Sequence, residues 1–248
     1  MLNIINLNKK YGNNQVLNNV SINFDSGEST AIVGESGSGK TTLAKIIIGL
    51  DKQDSGNVLL NNEELTILKH RSFNKCAKIQ YIFQDPYSAL ENNYTVLSTL
   101  KETTSICKRN NYEHISIEDA LKYVDENLLN YMDEKVEVLS GGQKQKLCIA
   151  RALITNPDII IADECTSMLD EKSSDEIYEL LNKIKKDKKI ILISILHEID
   201  FYKGCWDKIA VFKDGNVLEH KDFKNFYKKA ENEYSLKLID AYKYFKDR

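Results

Sequence analysis

Glycines, a lysine and two threonines cluster just after a short apolar segment near the start of the chain. Residues 34–41 fit the pattern G-x-x-x-x-G-K-T and lie between a predicted strand and a predicted helix. Glycines let backbone N–H groups point inward, and a helix N-terminus adds partial positive charge. Lys40 suits the β- and γ-phosphates of a nucleotide, and the Thr41 hydroxyl suits Mg²⁺. The pattern predicts a phosphate-binding loop made of Gly34, Glu35, Ser36, Gly37, Ser38, Gly39, Lys40 and Thr41 and continuing into Thr42.

Two acidic residues stand at the end of a second apolar segment. Asp163 and Glu164 directly follow residues 159–162, which read as a buried strand. Open α/β sheets bind ligands at the carboxyl ends of their strands, so both carboxylates are expected beside the phosphate-binding loop. Asp163 suits coordination of Mg²⁺ through water. Glu164 can orient or deprotonate a water molecule that attacks the γ-phosphate.

A second glycine cluster precedes a predicted helix further along the chain. Residues 139–143 read Leu-Ser-Gly-Gly-Gln. Ser140, Gly141 and Gly142 at a helix start can bind an anion for the same physical reason as the first loop. The chain therefore carries two candidate anion-binding sites.

The whole pentapeptide at residues 139–143 resembles the signature sequence of the ATP-binding cassette (ABC) ATPases. Other elements of that family follow in the same order along nearly the whole chain. Tyr11 matches the aromatic residue that stacks on adenine, and Gln84 matches the glutamine loop. Residues 167–170, which end at Asp170, resemble the family's Ser-Ala-Leu-Asp loop.

His197 matches the switch histidine of the same family. The family usually has Ser or Thr before this histidine and Asp after it, whereas this chain has Leu196 and Glu198. Glu for Asp is a mild change, but Leu196 removes a hydroxyl. The resemblance therefore identifies His197 and leaves its orientation open.

The resemblance implies an α/β fold with a P-loop NTPase core, in which helices flank a RecA-like mixed sheet. An N-terminal antiparallel β-subdomain and a helical subdomain inserted at residues 85–139 would complete it. Residues 1–248 would form a single nucleotide-binding domain, with a short C-terminal extension at residues 216–248. ATP and Mg²⁺ are the implied cofactors.

The resemblance also implies a role for individual residues. Catalysis would involve Glu164, His197 and Gln84. Mg²⁺ would be bound by Thr41, Gln84 and Asp163. The nucleotide would be bound by Tyr11, Gly34, Glu35, Ser36, Gly37, Ser38, Gly39, Lys40, Thr41, Thr42, Ser140, Gly141, Gly142, Gln143 and Asp170.

Cassettes of this family pair head to tail and power membrane transport. The implied partners are a second cassette (a paralogue or a second copy), two membrane permease subunits and an extracellular substrate-binding protein, at the cytoplasmic face of a bacterial plasma membrane. Residues 83–96 and 233–241 resemble segments of the ATPases of peptide and nickel importers. The predicted function is to hydrolyse ATP for an importer of oligopeptides, dipeptides or nickel-type metal chelates.

Three alternatives stay open at this level. A cassette ATPase acting on nucleic acid would carry long coiled coils or zinc modules between the phosphate loop and the signature, and this chain shows neither heptads nor cysteine pairs there. A catalytically silent subunit is disfavoured by the presence of Glu164 and His197. An exporter ATPase shares the same catalytic motifs, which do not encode the direction of transport.

The elements that must position these residues alternate between strands and helices. Residues 1–33 read as short strands, and residues 41–50 as a helix with Leu50 on its packed face. Strands are predicted at residues 158–162 and 190–194, and a helix at residues 171–186. The lysine-rich residues 185–189 are interpreted as a solvated turn.

Composition excludes several classes of protein. Of 248 residues, 42% are hydrophobic and 29% charged, as in soluble globular proteins. The net charge of −3 offers no excess of positive charge for binding nucleic acid. Five scattered cysteines favour a reducing compartment over a disulfide framework. The start of the chain does not resemble a secretory signal, and its apolar runs are shorter than a membrane span.

Overall fold

The computed structural model describes residues 1–196 and 206–246, and its N-terminal part forms a four-stranded antiparallel sheet. Strands β1 (Leu2–Tyr11) and β2 (Asn14–Phe24) form a hairpin. Strand β4 (Ser55–Leu60) pairs with the other edge of β1, and the two-residue strand β5 (Glu63–Glu64) pairs with β4. Along β1 and β2, buried residues that are mostly apolar are interspersed with exposed residues that are mostly polar, so one face of the sheet packs on the rest of the protein.

A larger sheet of six strands has the order β10-β9-β3-β8-β7-β6. Its neighbours are parallel except for the antiparallel hairpin of β9 and β10. Every residue of β3, β7 and β8 is buried, which explains why their sequences are mostly apolar. The strands are β3 (Ser29–Val33), β6 (Ile79–Ile82), β7 (Ile159–Asp163), β8 (Ile191–Ile195), β9 (Lys208–Lys213) and β10 (Asn216–Asp222).

Helices cover the large sheet and build a separate helical region between β6 and β7. Within the described residues the helices are α1 (Lys40–Ile48), α2 (Phe73–Ala77), α3 (Pro86–Ala89), α4 (Val96–Arg109), α5 (Ile117–Asp125), α6 (Gly141–Ile154), α7 (Glu171–Lys188), α8 (Phe223–Lys229) and α9 (Glu233–Lys246). Residues 85–139 contain α3, α4, α5 and short 3₁₀ turns. The predicted fold class, a mixed-sheet P-loop core with an antiparallel β-subdomain and inserted helices, is confirmed.

The hydrophobic core has two parts, one on each face of the large sheet. On β7, Ile160 and Ala162 pack in the part that contains α6 and α7, whereas Ile159 and Ile161 pack in the part that contains α1 and the antiparallel sheet. Successive side chains of a strand point to opposite faces, so one apolar strand serves both. Within the residues that the structure describes, no helix combines enough length and apolar character to cross a membrane.

Two local predictions are wrong. Leu50 is 59% exposed, because α1 ends at Ile48 and Gly49 takes a left-handed conformation that turns the chain away. Lys185 is not in a solvated turn: it lies inside α7 and is buried, with its ammonium 2.8 Å from a carboxylate oxygen of Asp207. The amphipathic pattern of α7 simply continues through the lysine-rich segment.

Candidate functional site

The predicted phosphate loop, residues 34–41, begins at the carboxyl end of β3 and runs into the first two residues of α1. Gly34 has a φ of +151°, and a Cβ atom at this position would lie 2.1 Å from the Phe212 carbonyl oxygen. The Gly215 N–H donates to the Ser38 carbonyl oxygen at 3.2 Å. The hairpin of β9 and β10 therefore supports the back of the predicted phosphate loop, and only glycine fits at its first position.

Lys40, the first residue of α1, is buried beneath this loop. Its ammonium donates to the carbonyl oxygens of Gly34 at 2.6 Å and Glu35 at 2.9 Å. Burial lowers the pKa of Lys40 below its ordinary value, and the carboxylates of Glu164 and Asp163 partly oppose this shift. The structure thus brings the lysine and both predicted acids into one electrostatic environment.

Asp163 ends β7 and Glu164 follows it. The Glu164 N–H donates to the Ile195 carbonyl oxygen of the neighbouring strand at 3.0 Å. Glu164 has a φ of +48°, a left-handed conformation that costs a non-glycine residue about 1–3 kcal/mol. Strained residues of this kind cluster at functional sites, where the surrounding structure holds them in place.

The carboxylate of Asp163 is buried, and its two oxygens have different surroundings. The Tyr81 hydroxyl donates to Oδ2. The other oxygen, Oδ1, has no hydrogen-bond partner anywhere in residues 1–196 or 206–246. A buried carboxylate oxygen without a partner fits the water-mediated coordination of Mg²⁺ that the sequence predicts. The residues at this position are therefore compatible with the cofactor.

Gln84 lies in the exposed loop that follows β6. Its side-chain Nε2 donates to the Ser167 hydroxyl at 3.2 Å. Ser167 is three residues after Glu164, and its own N–H bonds to the Glu164 carbonyl oxygen at 3.0 Å. The predicted glutamine loop is thus linked to the segment that carries the predicted catalytic acid.

Residues 139–143 lead into the N-terminus of α6. Ser140 caps this helix: its hydroxyl accepts from the Gln143 N–H at 3.3 Å, and the Gln143 side chain accepts from the Ser140 N–H at 2.9 Å. A Cβ on Gly142 would lie 3.1 Å from the Ser173 hydroxyl oxygen. Within the part of the chain that the structure describes, no hydrogen bond joins residues 139–143 to the phosphate loop.

Tyr11 and Asp170 occupy surface positions. The Tyr11 ring is 47% exposed, its hydroxyl donates to the Asp51 carboxylate, and the Lys9 ammonium lies 4.8 Å from the ring centre. Asp170 is the N-cap of α7 and accepts from the Ser173 N–H at 3.0 Å and the Ser173 hydroxyl at 2.7 Å. Both side chains are fixed by local contacts.

His197 lies outside the described residues, so the structure does not place its side chain. Leu196, just before it, is described: it is buried in the hydrophobic core, and its N–H donates to the Ile32 carbonyl oxygen at 3.0 Å. A hydroxyl at this position would have to be satisfied inside an apolar core. The apolar surroundings therefore explain why leucine, rather than the family's Ser or Thr, is accommodated at position 196.

Sequence reasoning missed two tyrosines that touch the site. Tyr81 contacts Asp163, and the Tyr234 hydroxyl accepts from the Glu35 N–H at 3.1 Å. The position of Tyr81, three residues before Gln84 and near the end of a strand, could have indicated that this tyrosine lies near the site. Tyr234 lies in residues 233–241, which stood out only by resemblance and without an assigned role.

Comparison with known proteins agrees with this geometry. The family model described as ABC transporter matches residues 17–167. The phosphonates import ATP-binding protein of Fusobacterium nucleatum is 36% identical over 242 residues, which cover 93% of this chain and 93% of that protein.

Solved structures also resemble this one. The cbiO1 protein of Clostridium perfringens, part of the ABC transporter complex cbiONQ, has a TM-score of 0.78 at 29% identity, covering 92% of this chain and 90% of that one. The dimeric bacterial ABC transporter cassette MJ0796 has a TM-score of 0.73 at 30% identity, covering 90% of this chain and 98% of that one. The chain belongs to the ABC transporter family, as an ATP-hydrolysing cassette whose cofactors are ATP and Mg²⁺.

Proposed function

We propose that this chain powers an ABC importer by hydrolysing ATP at the site formed by Lys40, Asp163 and Glu164. The observation that carries the proposal is the placement of these residues at the carboxyl ends of β3 and β7, which are parallel strands of one sheet. The two carboxylates act electrostatically on the Lys40 ammonium, although they come from distant parts of the chain. A phosphate loop with a buried lysine and two acids suits phosphoryl transfer to water, which depends on positioning of the reactants and on stabilisation of charge.

Each residue of the loop and the acids has a defined role. The Lys40 ammonium and the backbone N–H groups of residues 36–41 bind the phosphates and offset the charge that develops during the reaction. The Glu35 N–H is not among them, because it donates to the Tyr234 hydroxyl. Glu164 accepts a proton from the attacking water while the new bond to the γ-phosphorus forms and the bond to the β-phosphate oxygen breaks. Tyr11 offers an exposed ring for the adenine base.

Thr41, Gln84 and Asp163 would hold the metal ion. Asp163 offers its buried Oδ1 atom, which has no hydrogen-bond partner within the described residues. The chemistry that Mg²⁺ supplies when bound is neutralisation of charge on the β- and γ-phosphates. The protein itself orients the side chains that would bind the metal. Tyr81 fixes one oxygen of Asp163, and the link between Gln84 and Ser167 fixes the glutamine loop.

The second anion-binding site points to a pair of cassettes. Residues 139–143 lead into α6. A Cβ on Gly141 or Gly142 would contact Tyr87, Leu169 or Ser173 rather than the phosphate loop. A single nucleotide does not need two separate anion-binding sites in one chain. In an antiparallel pair of chains, the phosphate loop of one chain and residues 139–143 of the other would form one nucleotide site, and the pair would have two such sites. The similarity to a dimeric cassette supports this arrangement. Ser140, Gly141, Gly142, Gln143 and Asp170 would then complete a site on the partner.

The proposed assembly also includes membrane permease subunits at the cytoplasmic face of the membrane. Phe83 and Tyr87 flank Gln84 with side chains 46% and 48% exposed, and they offer apolar surface to such a partner. Import is favoured over export because the Fusobacterium relative is named for import. An extracellular binding protein and a peptide or nickel cargo stay predictions, since they rest on sequence segments alone.

Complementation tests the shared site. Subunits that carry Ser140→Arg are mixed with subunits that carry Lys40→Ala, and ATPase activity of the mixed dimer is measured. Each homodimer is expected to be inactive. With shared sites the mixed dimer has both lesions in one site and an intact second site, so activity returns. If the natural partner is a paralogue, each lesion is placed in the appropriate subunit.

Ser116→Arg is the matched control, because Ser116 also caps a helix and accepts from the Asp119 N–H at 3.0 Å. This variant removes a helix cap of the same kind at a position outside the proposed site, so the protein should keep its ATPase activity. No recovery in a verified mixed dimer would contradict the shared site. Full activity of the Ser140→Arg homodimer would contradict the role of Ser140.

A further inference from the structure

We propose that Tyr234 is a positioning residue for the phosphate loop, and that docking of residues 231–240 on this loop is coupled to nucleotide binding. The inference rests on the proposed binding of phosphates by residues 34–41. It assigns a role to the C-terminal segment, which contains none of the catalytic motifs.

Tyr234 reaches the phosphate loop directly from α9. Its side chain is only 9% exposed, and its hydroxyl oxygen accepts a hydrogen bond from the Glu35 backbone N–H at 3.1 Å. The Lys213 ammonium lies 4.7 Å from the centre of the Tyr234 ring, a distance typical of a cation–π interaction. Lys213 ends β9, the strand whose hairpin supports the loop from behind.

The loop residue that Tyr234 binds is also bound by the phosphate-binding lysine. Lys40 donates to the carbonyl oxygen of Glu35 at 2.9 Å, while Tyr234 accepts from its N–H. Both backbone polar groups of Glu35 are therefore engaged, one from each side. A change in the position of Glu35 must alter both contacts, which gives a physical route between the C-terminal segment and the phosphate site.

The segment that carries Tyr234 is anchored firmly enough to transmit this effect. The Glu219 carboxylate on β10 accepts from the N–H groups of Glu231 at 2.7 Å and Asn232 at 2.6 Å. The Asn232 side chain in turn accepts from the Tyr234 N–H at 2.9 Å. Ile239, five residues further along α9, is buried in the main hydrophobic core. The segment is held on both sides of Tyr234.

Coupling of this kind is reciprocal. If a docked segment raises nucleotide affinity, bound nucleotide must stabilise the docked segment by the same factor. Two measurements on the full chain therefore report the same coupling: the nucleotide affinity, and the hydrogen-exchange protection of residues 231–240 with and without nucleotide.

The test compares Tyr234→Phe with the wild-type chain by titration calorimetry, with Mg²⁺–ADP as the probe. Removal of the hydroxyl is expected to weaken binding by about two- to tenfold, the range for loss of one net hydrogen bond. The KM for ATP should rise by a similar factor with kcat unchanged. Nucleotide should protect residues 231–240 from exchange in the wild type and protect them less in Tyr234→Phe.

Lys237→Ala is the matched control on the same helix, because the Lys237 side chain is 72% exposed and its ion pair is with Glu233. It should leave both measurements unchanged. Equal ADP affinity in the wild type and Tyr234→Phe would overturn the inference. So would a lower thermal stability of Tyr234→Phe without any change in affinity or in nucleotide-dependent protection. Lys40→Ala tests the proposed phosphate site separately from the role of Tyr234. If Lys40→Ala binds ADP as tightly as the wild type, the proposed phosphate site is wrong.

Discussion

The hydroxyl of Tyr81 donates a hydrogen bond to the carboxylate of Asp163, although 82 positions separate the two residues in the chain. Strands β6 and β7 are parallel neighbours, and Tyr81 pairs with Ile161 in their register. Tyr81 and Asp163 therefore share one face of the sheet, because side chains two residues apart on a strand point the same way. Burial and the Asp163 carboxylate raise the pKa of Tyr81 above its ordinary value, so the phenol stays a hydrogen-bond donor.

We expect Tyr81→Phe to lower the affinity of the site for Mg²⁺, so that ATPase activity falls at low metal concentration. Loss of a group that orients a metal ligand typically costs about tenfold or more in metal affinity. The Mg²⁺ concentration for half-maximal ATPase activity should rise by about that factor, while nucleotide binding without Mg²⁺ stays unchanged. Metal titrations of ATPase activity and of nucleotide binding measure both quantities.

Tyr123→Phe is the control for this prediction, since the Tyr123 hydroxyl also donates to a carboxylate, Asp187 Oδ2, at 2.7 Å. That pair joins α5 to the end of α7, away from the metal site. The control should keep the wild-type Mg²⁺ dependence. An unchanged Mg²⁺ dependence in Tyr81→Phe would show that Tyr81 does not orient Asp163.

Glu164→Gln should separate binding of ATP from its hydrolysis. An amide cannot accept a proton from the attacking water, so we expect kcat to fall by about 10²- to 10⁴-fold with nucleotide affinity kept. The variant should also accumulate as an ATP-bound dimer of cassettes, which size-exclusion chromatography with ATP would detect. Glu118→Gln, on the surface of α5, serves as the control. Wild-type turnover in Glu164→Gln would remove Glu164 from the catalytic role.

Gly34→Ala should abolish nucleotide binding by displacing the phosphate loop. Its Cβ would lie 2.1 Å from the Phe212 carbonyl oxygen, a distance at which the backbone must shift. Gly27→Ala is the matched control, because Gly27 also has a positive φ, of +80°, but a Cβ there would meet nothing closer than 3.9 Å. Both variants should lose some stability, and only Gly34→Ala should lose affinity for Mg²⁺–ADP in calorimetry. Normal binding by Gly34→Ala would contradict the rigid support of the loop.

Asp207 controls part of the acid stability of the fold. Burial alone would raise its pKa, but hydrogen bonds from Lys185 and from the N–H and hydroxyl of Ser29 hold the pKa below its ordinary value. A lowered carboxyl pKa stabilises the folded state above the unfolded pKa of about 4, and this contribution disappears as the pH falls through the folded pKa.

We expect Asp207→Asn to lower the free energy of unfolding by about 1–2 kcal/mol at pH 7, because the buried Lys185 ammonium loses its charged partner while Asp207 itself is partly exposed. The difference from the wild type should hold from about pH 7 to 5 and shrink below about pH 4. Urea denaturation across this range measures it. A difference that stays constant down to the lowest pH would contradict the assigned ion pair.

The local sequence is sufficient to predict the elements that carry the candidate catalytic and binding residues. The phosphate loop, the acids after residues 159–162 and the signature each combine a short pattern with a strand or helix that the same residues specify. Glycine conformations, apolar runs and helix caps act within a few residues, so a pattern such as that of residues 34–41 predicts its own backbone. The end of α1 at Ile48 was missed by two residues, because Gly49 stops the helix before Leu50.

The tertiary structure alone decided which distant groups meet. Lys185 belongs to a lysine-rich segment that resembles a solvated surface, yet it is buried because β9 brings Asp207 against α7. Tyr81 meets Asp163 because β6 lies beside β7, and Tyr234 meets Glu35 because Glu219 anchors the start of α9. A buried polar group must find a partner, and that partner can come from any strand or helix packed against it. Sequence patterns specify each element by itself, and these pairings exist only once the sheet order and helix packing are formed.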